Sequence, residues 1–342
     1  MKILVTGGAG FIGSNFIRYF FGAHPDAEII NLDKLTYAGN PENLAEVASR
    51  PNYEFVLGDV CDAPLVENLM KRNPDVVVHF AAESHVDRSI ESAQEFIRTN
   101  VQGTHTLLDS ARHSGIRRFL HVSTDEVYGS LQPGESASEK SSLCPNSPYA
   151  ASKAASDLIV RSYWKTYGFP AITTRCSNNY GPNQFPEKLI PLMIANALEG
   201  KKLPVFGNGL HERDWIFVED HCRALDMVLQ KGQPGEIYNI GYGIPVSNLE
   251  IIRRLLGILE KPESLIEFVA DRPGHDRRYA LDTTKMSNEL GWRSTIDLDE
   301  GLERTVKWYR SNSEWIRKAR SGEYQKYYDK FYLQRDTTLS RF

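Results

Sequence analysis

The feature that most constrains the fold is a glycine-rich loop between an apolar strand and a helix, close to the first residue. "KILVTG" predicts a strand, and the following "GGAGFIG" places Gly8, Gly10 and Gly13 in a G-x-G-x-x-G spacing before an amphipathic segment. Glycines there permit a tight turn and let backbone N–H groups reach a pyrophosphate at the helix N-terminus. Asp33 ends the next predicted strand, where a carboxylate can bind both ribose hydroxyls. The pattern predicts a dinucleotide site that favours NAD over NADP.

Short β-branched runs alternate with longer amphipathic segments through the first half of the chain. The expected strands are "KILVTG", "EIINLD", "YEFVLGD", "DVVVHFAA", "RRFLHVS" and "AITTRCS". The expected helices are Phe11 to Phe21, Ala63 to Arg72, Ala93 to Ser114 and Pro148 to Tyr167. Apolar strands separated by helices are typical of a parallel sheet that is covered on both faces. The fold class is therefore α/β, with a doubly wound parallel sheet.

The rhythm of the sequence changes after about residue 178. Pro and Gly interrupt the chain, and shorter helices are expected over Leu189 to Glu199, Asp220 to Gln230, Asn248 to Leu259 and Leu298 to Tyr309. We expect residues 1–178 to form the dinucleotide-binding domain with the catalytic residues, and 179–342 to form a smaller α/β lobe. The lobe could return strands to the main sheet, with a cleft between the two parts. The aromatic and charged segment 313–336 is expected to dock against the core.

Composition excludes several classes of function. Lys and Arg total 40 against 44 Asp and Glu, so a net charge of -4 predicts no nucleic-acid partner and no binding to anionic membranes. No apolar run approaches the length of a membrane span, and the apolar stretch in the first ten residues is shorter than that of a signal peptide. The four cysteines show no C-x-x-C spacing, which favours free thiols in the cytoplasm. The nine histidines fall in no metal-ligand motif, so no metal is expected.

Two pairs of residues indicate chemistry. Tyr149 and Lys153 are four apart in a helix that Ser147 could cap, so both project from one face. A nearby ammonium and a positive nicotinamide would lower the pKa of the phenol, which could then take a proton from an alcohol. Asp125 and Glu126 follow the strand in "HVSTDEVYG". Such a pair is often a solvated turn or a helix cap, so by itself it leaves its role open.

The combination of "TGGAGFIG", the strand end "VST" and "YAASK" resembles the extended short-chain dehydrogenase/reductases that act on nucleotide sugars. Within that group, the chain is similar to the dTDP-glucose 4,6-dehydratases in "LDKLTYAGN", "AAESHVDRSI", "STDEVYG", "CSNNYGPNQFPEKLIP", "RDWIFVEDH" and "DRPGHDRRYALD". The match spans nearly the whole chain. The resemblance implies a Rossmann-type sheet with a C-terminal lobe that binds the nucleotide sugar, and a lyase that uses NAD.

The resemblance also implies a role for each catalytic residue. Tyr149, with Lys153 beside it, would deprotonate the C4 hydroxyl as NAD accepts the hydride, and Thr124 would hydrogen-bond to the same oxygen. The resulting ketone acidifies the C5 proton, which Glu126 could remove while Asp125 protonates the leaving C6 hydroxyl. The hydride then returns to C6. NAD should therefore stay tightly bound and be regenerated at each turnover.

The remaining contacts implied by the resemblance fall into two sets. The residues expected to bind the cofactor are Gly7, Gly10, Phe11, Ile12, Gly13, Asp33, Lys34, Leu35, Thr36, Asp59, Val60, Phe80, Ala81, Ala82, Ser84, Thr99, Tyr149, Lys153 and Asn179. The residues expected to bind the substrate are Ser84, Thr124, Asn178, Lys188, Leu189, Pro204, Val205, Phe206, Arg213, Asn248, Asp271, Arg272 and His275. Arginine suits a diphosphate, whereas Arg277 and Arg278 could equally lie in a solvated loop.

Two departures from the resemblance concern the nucleotide end. Phe206 stands in "PVFG" where "PVYG" is expected, and "GLHERDW" replaces "NVRDW". A ring can still stack on the base, but a phenolic hydrogen bond is lost. The base therefore stays open between dTDP-, UDP- and CDP-glucose.

Two other functions are compatible with the same fold, and the resemblance also implies an oligomeric state. A UDP-sugar 4-epimerase would use the same loop, tyrosine and lysine, but it needs no C5 base or C6 acid. A non-catalytic sensor on the same fold would have no need of the catalytic side chains. The resemblance implies a homodimer, with the helices Ala93 to Ser114 and Pro148 to Tyr167 as its seam.

Overall fold

A seven-stranded parallel sheet forms the centre of the computed structural model, which describes residues 1–321 and Tyr328. The strand order is β10-β6-β5-β4-β1-β2-β3, and each neighbouring pair is parallel. The strands are β1 (Lys2–Thr6), β2 (Glu28–Asp33), β3 (Tyr53–Leu57), β4 (Val76–His79), β5 (Arg118–Thr124), β6 (Ala171–Cys176), β7 (Asn178–Tyr180), β8 (Leu203–Phe206), β9 (Glu212–Phe217), β10 (Ile237–Ile240), β11 (Pro245–Ser247) and β12 (Ile266–Val269). The order reverses between β1 and β4, which opens a crevice at their carboxyl ends. The predicted doubly wound Rossmann-type sheet is confirmed.

Helices cover both faces of this sheet and enclose two apolar clusters. They are α1 (Phe11–Ala23), α2 (Ala63–Met70), α3 (Val86–Glu91), α4 (Gln94–Phe96), α5 (Thr104–His113), α6 (Pro148–Tyr167), α7 (Leu189–Leu198), α8 (Val218–Lys231), α9 (Asn248–Leu259), α10 (Thr284–Leu290), α11 (Leu298–Ser311) and α12 (Ser313–Ala319). Short 3-10 turns span Pro41–Leu44, Asp125–Tyr128 and Glu263–Leu265. Helices α1, α8 and α10 pack on one face, and α2, α5 and α6 pack on the other.

Of the two long predicted helices, one is continuous in the structure and the other is divided. Helix α6 has the predicted bounds, because the Ser147 hydroxyl accepts a hydrogen bond from Ala150 N and Gly168 ends the helix at φ 64°. The predicted helix Ala93 to Ser114 is instead α4, a π-helical turn over Ile97–Gly103, and α5. Single π turns are frequent at functional sites.

The smaller lobe lies at the carboxyl end of the sheet. It contains a three-stranded sheet in the order β11-β9-β7 and a two-stranded sheet of β12 and β8. Helices α7, α9 and α11 enclose its own apolar cluster. Strand β10 joins the main sheet and helix α8 packs against α1, so part of the chain after residue 178 belongs to the main sheet and its helices. The division into domains at that residue stays a proposal.

The C-terminal segment is described only in part. Helix α12 docks through Trp315, whose Nε1 donates to Asn43 Oδ1 at 2.9 Å. The remainder of the predicted docking segment lies outside the described residues, apart from 320–321 and the buried Tyr328. None of the helices in the described ranges is long and apolar enough to cross a membrane.

Candidate active site

The glycine loop forms a cradle that side chains could not enter. Gly7 has φ 73°, and a Cβ there would lie 2.6 Å from the backbone nitrogen of Ala81. A Cβ on Gly13 would lie 2.4 Å from the carbonyl oxygen of Gly7. Gly10 precedes the first turn of α1, where backbone N–H groups have no helical acceptors. The loop therefore fits the pyrophosphate of a dinucleotide in both shape and hydrogen-bonding chemistry.

Two carboxylates lie at the strand ends next to this loop. Asp33 accepts hydrogen bonds from Ala9 N at 2.9 Å and Leu35 N at 2.8 Å, while burial raises its pKa. A carboxylate has about four lone-pair positions, so Asp33 retains acceptors for ribose hydroxyls. Asp59 lies 3.0 Å from Lys34 Nζ and 2.8 Å from Arg98 Nη1. Burial alone would raise the pKa of Asp59, but hydrogen bonds from Cys61 N and these cations lower it to about 2.

A cavity of about 290 Å³ extends from the glycine loop to the second lobe. Its walls bring together nearly all the predicted cofactor residues: Gly7, Gly10, Phe11, Ile12, Gly13, Asp33, Lys34, Thr36, Asp59, Val60, Phe80, Ala81, Ala82, Ser84, Thr99, Tyr149, Lys153 and Asn179. Leu35 is not among them. The predicted catalytic residues also line the cavity, as do Asn178 and Lys188.

The two predicted catalytic carboxylates on the 3-10 turn Asp125–Tyr128 differ in environment. Thr124 ends β5, and its hydroxyl accepts from Glu126 N and donates to Asp125 Oδ1, both at 3.3 Å. Asp125 is buried, and its second oxygen has no hydrogen-bond partner among the residues that the structure describes. Burial and the charge of Glu126 raise its pKa well above the ordinary value. Asp125 is therefore suited to remain protonated as an acid.

Glu126 is held nearer to its ionised form. Burial raises its pKa, but Arg272, Lys188 and Arg213 oppose that shift through their positive charge. The three cations thus lie close enough to act on the same site. A carboxylate with a raised pKa is a stronger base than one in water. The adjacent residues can therefore act as an acid and a base.

Tyr149 and Lys153 project from the first two turns of α6 into this cavity. Lys153 Nζ donates to the carbonyl oxygen of Val122 at 2.9 Å, and burial lowers its pKa to about 8. Burial and Glu126 raise the pKa of Tyr149, although a hydrogen bond with Thr124 lowers it. The expected depression of the phenol pKa is thus not provided by the protein groups alone, because desolvation outweighs them.

Three cations of the second lobe, buried or half-buried, are anchored by protein acceptors. Lys188 Nζ donates to Ser84 O at 2.8 Å, and Arg272 Nη1 lies 3.3 Å from Asp87. Arg213 donates to the carbonyl oxygens of Glu212 and Asp276, with its guanidinium 4.3 Å from the centre of the Tyr279 ring. These contacts hold positive charge beside the cavity at fixed positions.

Several predicted substrate residues lie outside the cavity wall. These are Leu189, Pro204, Val205, Phe206, Arg213, Asn248, Asp271, Arg272 and His275. In the described part of the chain, Asn178 and Asn248 each have a buried side-chain oxygen without a hydrogen-bond partner, which suits contact with a ligand. Arg278 pairs with Glu212, and Arg277 donates to Asn208 Oδ1 at 2.9 Å.

An imidazole pair lies at the nucleotide end that departs from the expected sequence. The rings of His211 and His275 stack with centres 3.8 Å apart. His275 Nδ1 is hydrogen-bonded to Asp271 Oδ1 at 2.6 Å, and His211 Nε2 lies 3.2 Å from Asp271 Oδ2. Within the described chain, the potential ligand atoms of these three residues lie within 4.8 Å of one another. The absence of a metal stays a prediction.

A family model described as GDP-mannose 4,6 dehydratase matches residues 4–305. The chain belongs to this GDP-mannose 4,6-dehydratase family. A family relative from Actinoplanes sp., named dTDP-glucose 4,6-dehydratase, is 52% identical over 320 residues, which are 92% of this chain and 99% of the relative. One of the same name from Neisseria meningitidis is 50% identical over 347 residues, which cover 95% of this chain and 97% of the relative.

Solved structures of similar sequence share the fold of this chain. The dTDP-glucose 4,6-dehydratase DesIV from Streptomyces venezuelae, solved with NAD bound, has a TM-score of 0.91 and 54% identity. The match covers 93% of this chain and 100% of that chain. A UDP-glucose 4-epimerase from Thermotoga maritima has a TM-score of 0.86 at 30% identity, with 92% and 100% of the two chains covered. The epimerase shares the fold at lower sequence identity.

A buried acid of the cavity, Glu187, has no counterpart among the residues predicted from the sequence. Glu187 lies 3.6 Å from Arg88 Nε, and burial raises its pKa to about 7 despite the nearby cations. Its neighbour Lys188, in the same "FPEKLIP" segment, is a predicted substrate-binding residue, so this segment of the sequence already indicated the cavity. The other cavity residues that the sequence did not indicate are Leu32, Ala38, Gly39, Gly58, Val122, Ser123, Cys176, Ser177, Gln184 and Phe185.

Proposed function

We propose that this chain converts dTDP-glucose to dTDP-4-keto-6-deoxyglucose and water, as a lyase with recycled NAD. The observation that carries the proposal is the pair Asp125 and Glu126, which lies in one cavity with Tyr149 and Lys153. An alcohol oxidation needs only the tyrosine and lysine. Loss of water from the oxidised sugar also needs a base and an acid, which the pair supplies.

The first step requires removal of a proton from the sugar C4 hydroxyl. NAD, when bound along the glycine loop, supplies a reversible hydride acceptor. Tyr149 Oη would take the hydroxyl proton, with Thr124 hydrogen-bonded to the same sugar oxygen. Lys153, whose positive charge lies on the same helix, would stabilise the phenolate. The product of this step is a C4 ketone.

The second step is an elimination. Glu126 would remove the C5 proton, made acidic by the adjacent ketone, while Asp125 gives its proton to the C6 hydroxyl. The C6–O bond breaks and water leaves, so the proton gained by Glu126 and the proton lost by Asp125 balance. Hydride returns to C6 while Glu126 gives its proton back to C5, and the proton that Tyr149 took from the C4 hydroxyl passes through solvent to restore Asp125. The raised pKa of each carboxyl group supports this division of roles.

The diphosphate of the substrate would bind the cations of the second lobe. These cations are the buried or half-buried Arg213, Arg272 and Lys188. They would offset the negative charge of the diphosphate locally, in a chain whose own net charge is -4. We propose Phe206 and Asn248 at the nucleotide end, together with the 271–275 loop. The relatives named for dTDP-glucose support thymine as the base.

Incubation of the protein separately with dTDP-, UDP- and CDP-glucose tests this function. We expect dTDP-glucose to lose the mass of one water, and nuclear magnetic resonance to identify the 4-keto-6-deoxy sugar. Turnover without added NAD would support a retained cofactor. An unchanged mass with inversion at C4 would contradict dehydration and indicate epimerisation. Preferential turnover of UDP- or CDP-glucose would contradict the assigned base alone.

We further propose a cytoplasmic homodimer with its seam along 93–114 and 148–167. The four cysteines are free thiols, which agrees with a reducing compartment. Ile97, Leu158 and Tyr167 lie on these segments and are 52%, 57% and 54% exposed, so a dimer formed here could cover apolar side chains.

The Leu158→Glu variant is expected to sediment as a monomer, because a charge would have to be buried at the seam. Analytical ultracentrifugation measures the change. Phe268→Glu is the matched control, since Phe268 is also 57% exposed but lies on β12, outside the seam. A monomeric unsubstituted protein, or a dimeric Leu158→Glu variant, would contradict this interface.

A further inference from the structure

A buried tyrosine ends the turn that carries the two catalytic carboxylates. Tyr128 is the last residue of the 3-10 turn that begins at Asp125. Its hydroxyl accepts a hydrogen bond from Arg175 Nη1 at 2.9 Å and donates one to Asn239 Oδ1 at 2.8 Å. The catalytic turn is thus attached at its far end to two strands of the main sheet, β6 and β10.

Arg175 extends this attachment to the helix that carries the other catalytic pair. Its side chain is buried, and its Nε donates to Asp157 Oδ2 at 2.8 Å. Asp157 lies on α6 one turn after Lys153 and two turns after Tyr149. Its other oxygen is 3.3 Å from His121 Nε2. Burial would raise the pKa of Asp157, but His121 and Arg175 lower it, so the carboxylate is charged.

Asn239 is itself held in one orientation. Its Nδ2 donates to Ala137 O at 2.9 Å, which leaves Oδ1 to accept from Tyr128. Its backbone nitrogen donates to Glu139 Oε1 at 2.9 Å. The Tyr128 hydroxyl is therefore fixed from both sides by groups that have little freedom to move.

The proposed reaction gives this arrangement a purpose. Oxidation at C4 uses Tyr149 and Lys153 on α6, whereas elimination uses Asp125 and Glu126 on the turn. Both pairs must reach adjacent carbons of one sugar, and small errors in position are costly for such steps. We propose that Asp157, Arg175 and Tyr128 form a bridge that positions the catalytic turn against the catalytic helix. The inference rests on the proposed function, and these three are positioning residues because none of them lines the cavity.

A role in stability alone is the main alternative, because buried ion pairs occur without any part in catalysis. The two roles differ in which half of the reaction they affect. Loss of stability would reduce C4 oxidation and elimination together. Loss of position at the turn would reduce elimination while Tyr149 and Lys153 still oxidise C4.

The Tyr128→Phe variant of the full chain tests the bridge. It keeps the ring beside the Arg175 guanidinium, 4.8 Å from the ring centre, but removes the hydroxyl. In single turnover of dTDP-glucose, we expect elimination to slow by roughly 10-fold to 100-fold, with C4 oxidation and KM unchanged. Reduced nicotinamide should then accumulate, which near-ultraviolet absorbance measures, and exchange of the C5 proton with deuterium oxide should slow.

Two variants make the result decisive. Tyr163→Phe is the matched control, because Tyr163 is a buried tyrosine of α6, the helix that carries Asp157, and its hydroxyl donates to Asp109 at 3.4 Å, away from the cavity. Arg175→Lys keeps a charge for Asp157 but loses the planar fork that also reaches Tyr128, so it should slow elimination selectively as well. Thermal unfolding of each variant reports stability separately.

Equal slowing of both half-reactions, in proportion to a lower Tm, would overturn the positioning role. Unchanged elimination in Tyr128→Phe would overturn it too, and if that variant fails to fold, Arg175→Lys decides by the same criterion. Failure of the unsubstituted protein to dehydrate dTDP-glucose would instead refute the proposed function on which the bridge depends.

Discussion

Replacement of Glu126 by glutamine is expected to stop the loss of water while C4 oxidation continues. The amide cannot accept the C5 proton, and it is close in size to the carboxylate, so Thr124 and the turn should keep their positions. A general base contributes about 10²-fold to 10⁴-fold to a rate, and dehydration should fall by that factor. Oxidation should persist because it depends on Tyr149 and Lys153.

The measurement combines two signals from one reaction mixture. Near-ultraviolet absorbance should report reduced nicotinamide that persists, and mass spectrometry should find almost no dehydrated product. Glu83→Gln provides a control, since Glu83 lines the same cavity and has no assigned chemistry. Normal dehydration by Glu126→Gln would exclude Glu126 as the base. Loss of oxidation as well would indicate that the substitution disturbs the whole site.

Local sequence patterns were sufficient for the sheet, the glycine loop and α6. Each depends on residues that are close in sequence. Apolar strands that alternate with helices predict the sheet, glycines such as Gly7 at φ 73° predict the loop, and a serine cap followed by proline predicts the start of α6. The catalytic turn could be located for the same reason, because Asp125 directly follows a buried strand. The π-helical turn could not be predicted, since Asn100 within it donates to the Glu83 carbonyl and Ser152, contacts formed only in the folded chain.

Contacts between distant segments set the limits of prediction. Tyr128 and Asn239 are 111 residues apart, and no periodicity links them. Glu187 was overlooked because a glutamate next to a lysine usually lies at a surface, whereas folding buries this one. The pKa of Tyr149 was expected to fall from charge alone. The sequence does not reveal the degree of desolvation, which acts in the opposite direction.

The Tyr149→Phe variant is expected to lose C4 oxidation and, with it, every later step. Without the phenol, no group at this position accepts the C4 proton. The loss should be about 10²-fold to 10⁴-fold in the rate of oxidation. Without a C4 ketone the C5 proton is not acidic, so exchange at C5 should disappear although Glu126 is intact. This result differs from that of Glu126→Gln, in which oxidation persists.

The pH dependence of oxidation provides a second test of the same site. Lys153 has a pKa lowered to about 8, so its ammonium is present below that pH and is lost as the pH rises through it. Because the phenolate of Tyr149 depends on this charge, single-turnover oxidation should decline on the alkaline side of about 8. Tyr163→Phe should oxidise dTDP-glucose normally with the same alkaline decline. Oxidation by Tyr149→Phe at the normal rate would exclude the phenol as the proton acceptor, and the C4 proton would then have to leave through Thr124 or a carboxylate of the turn.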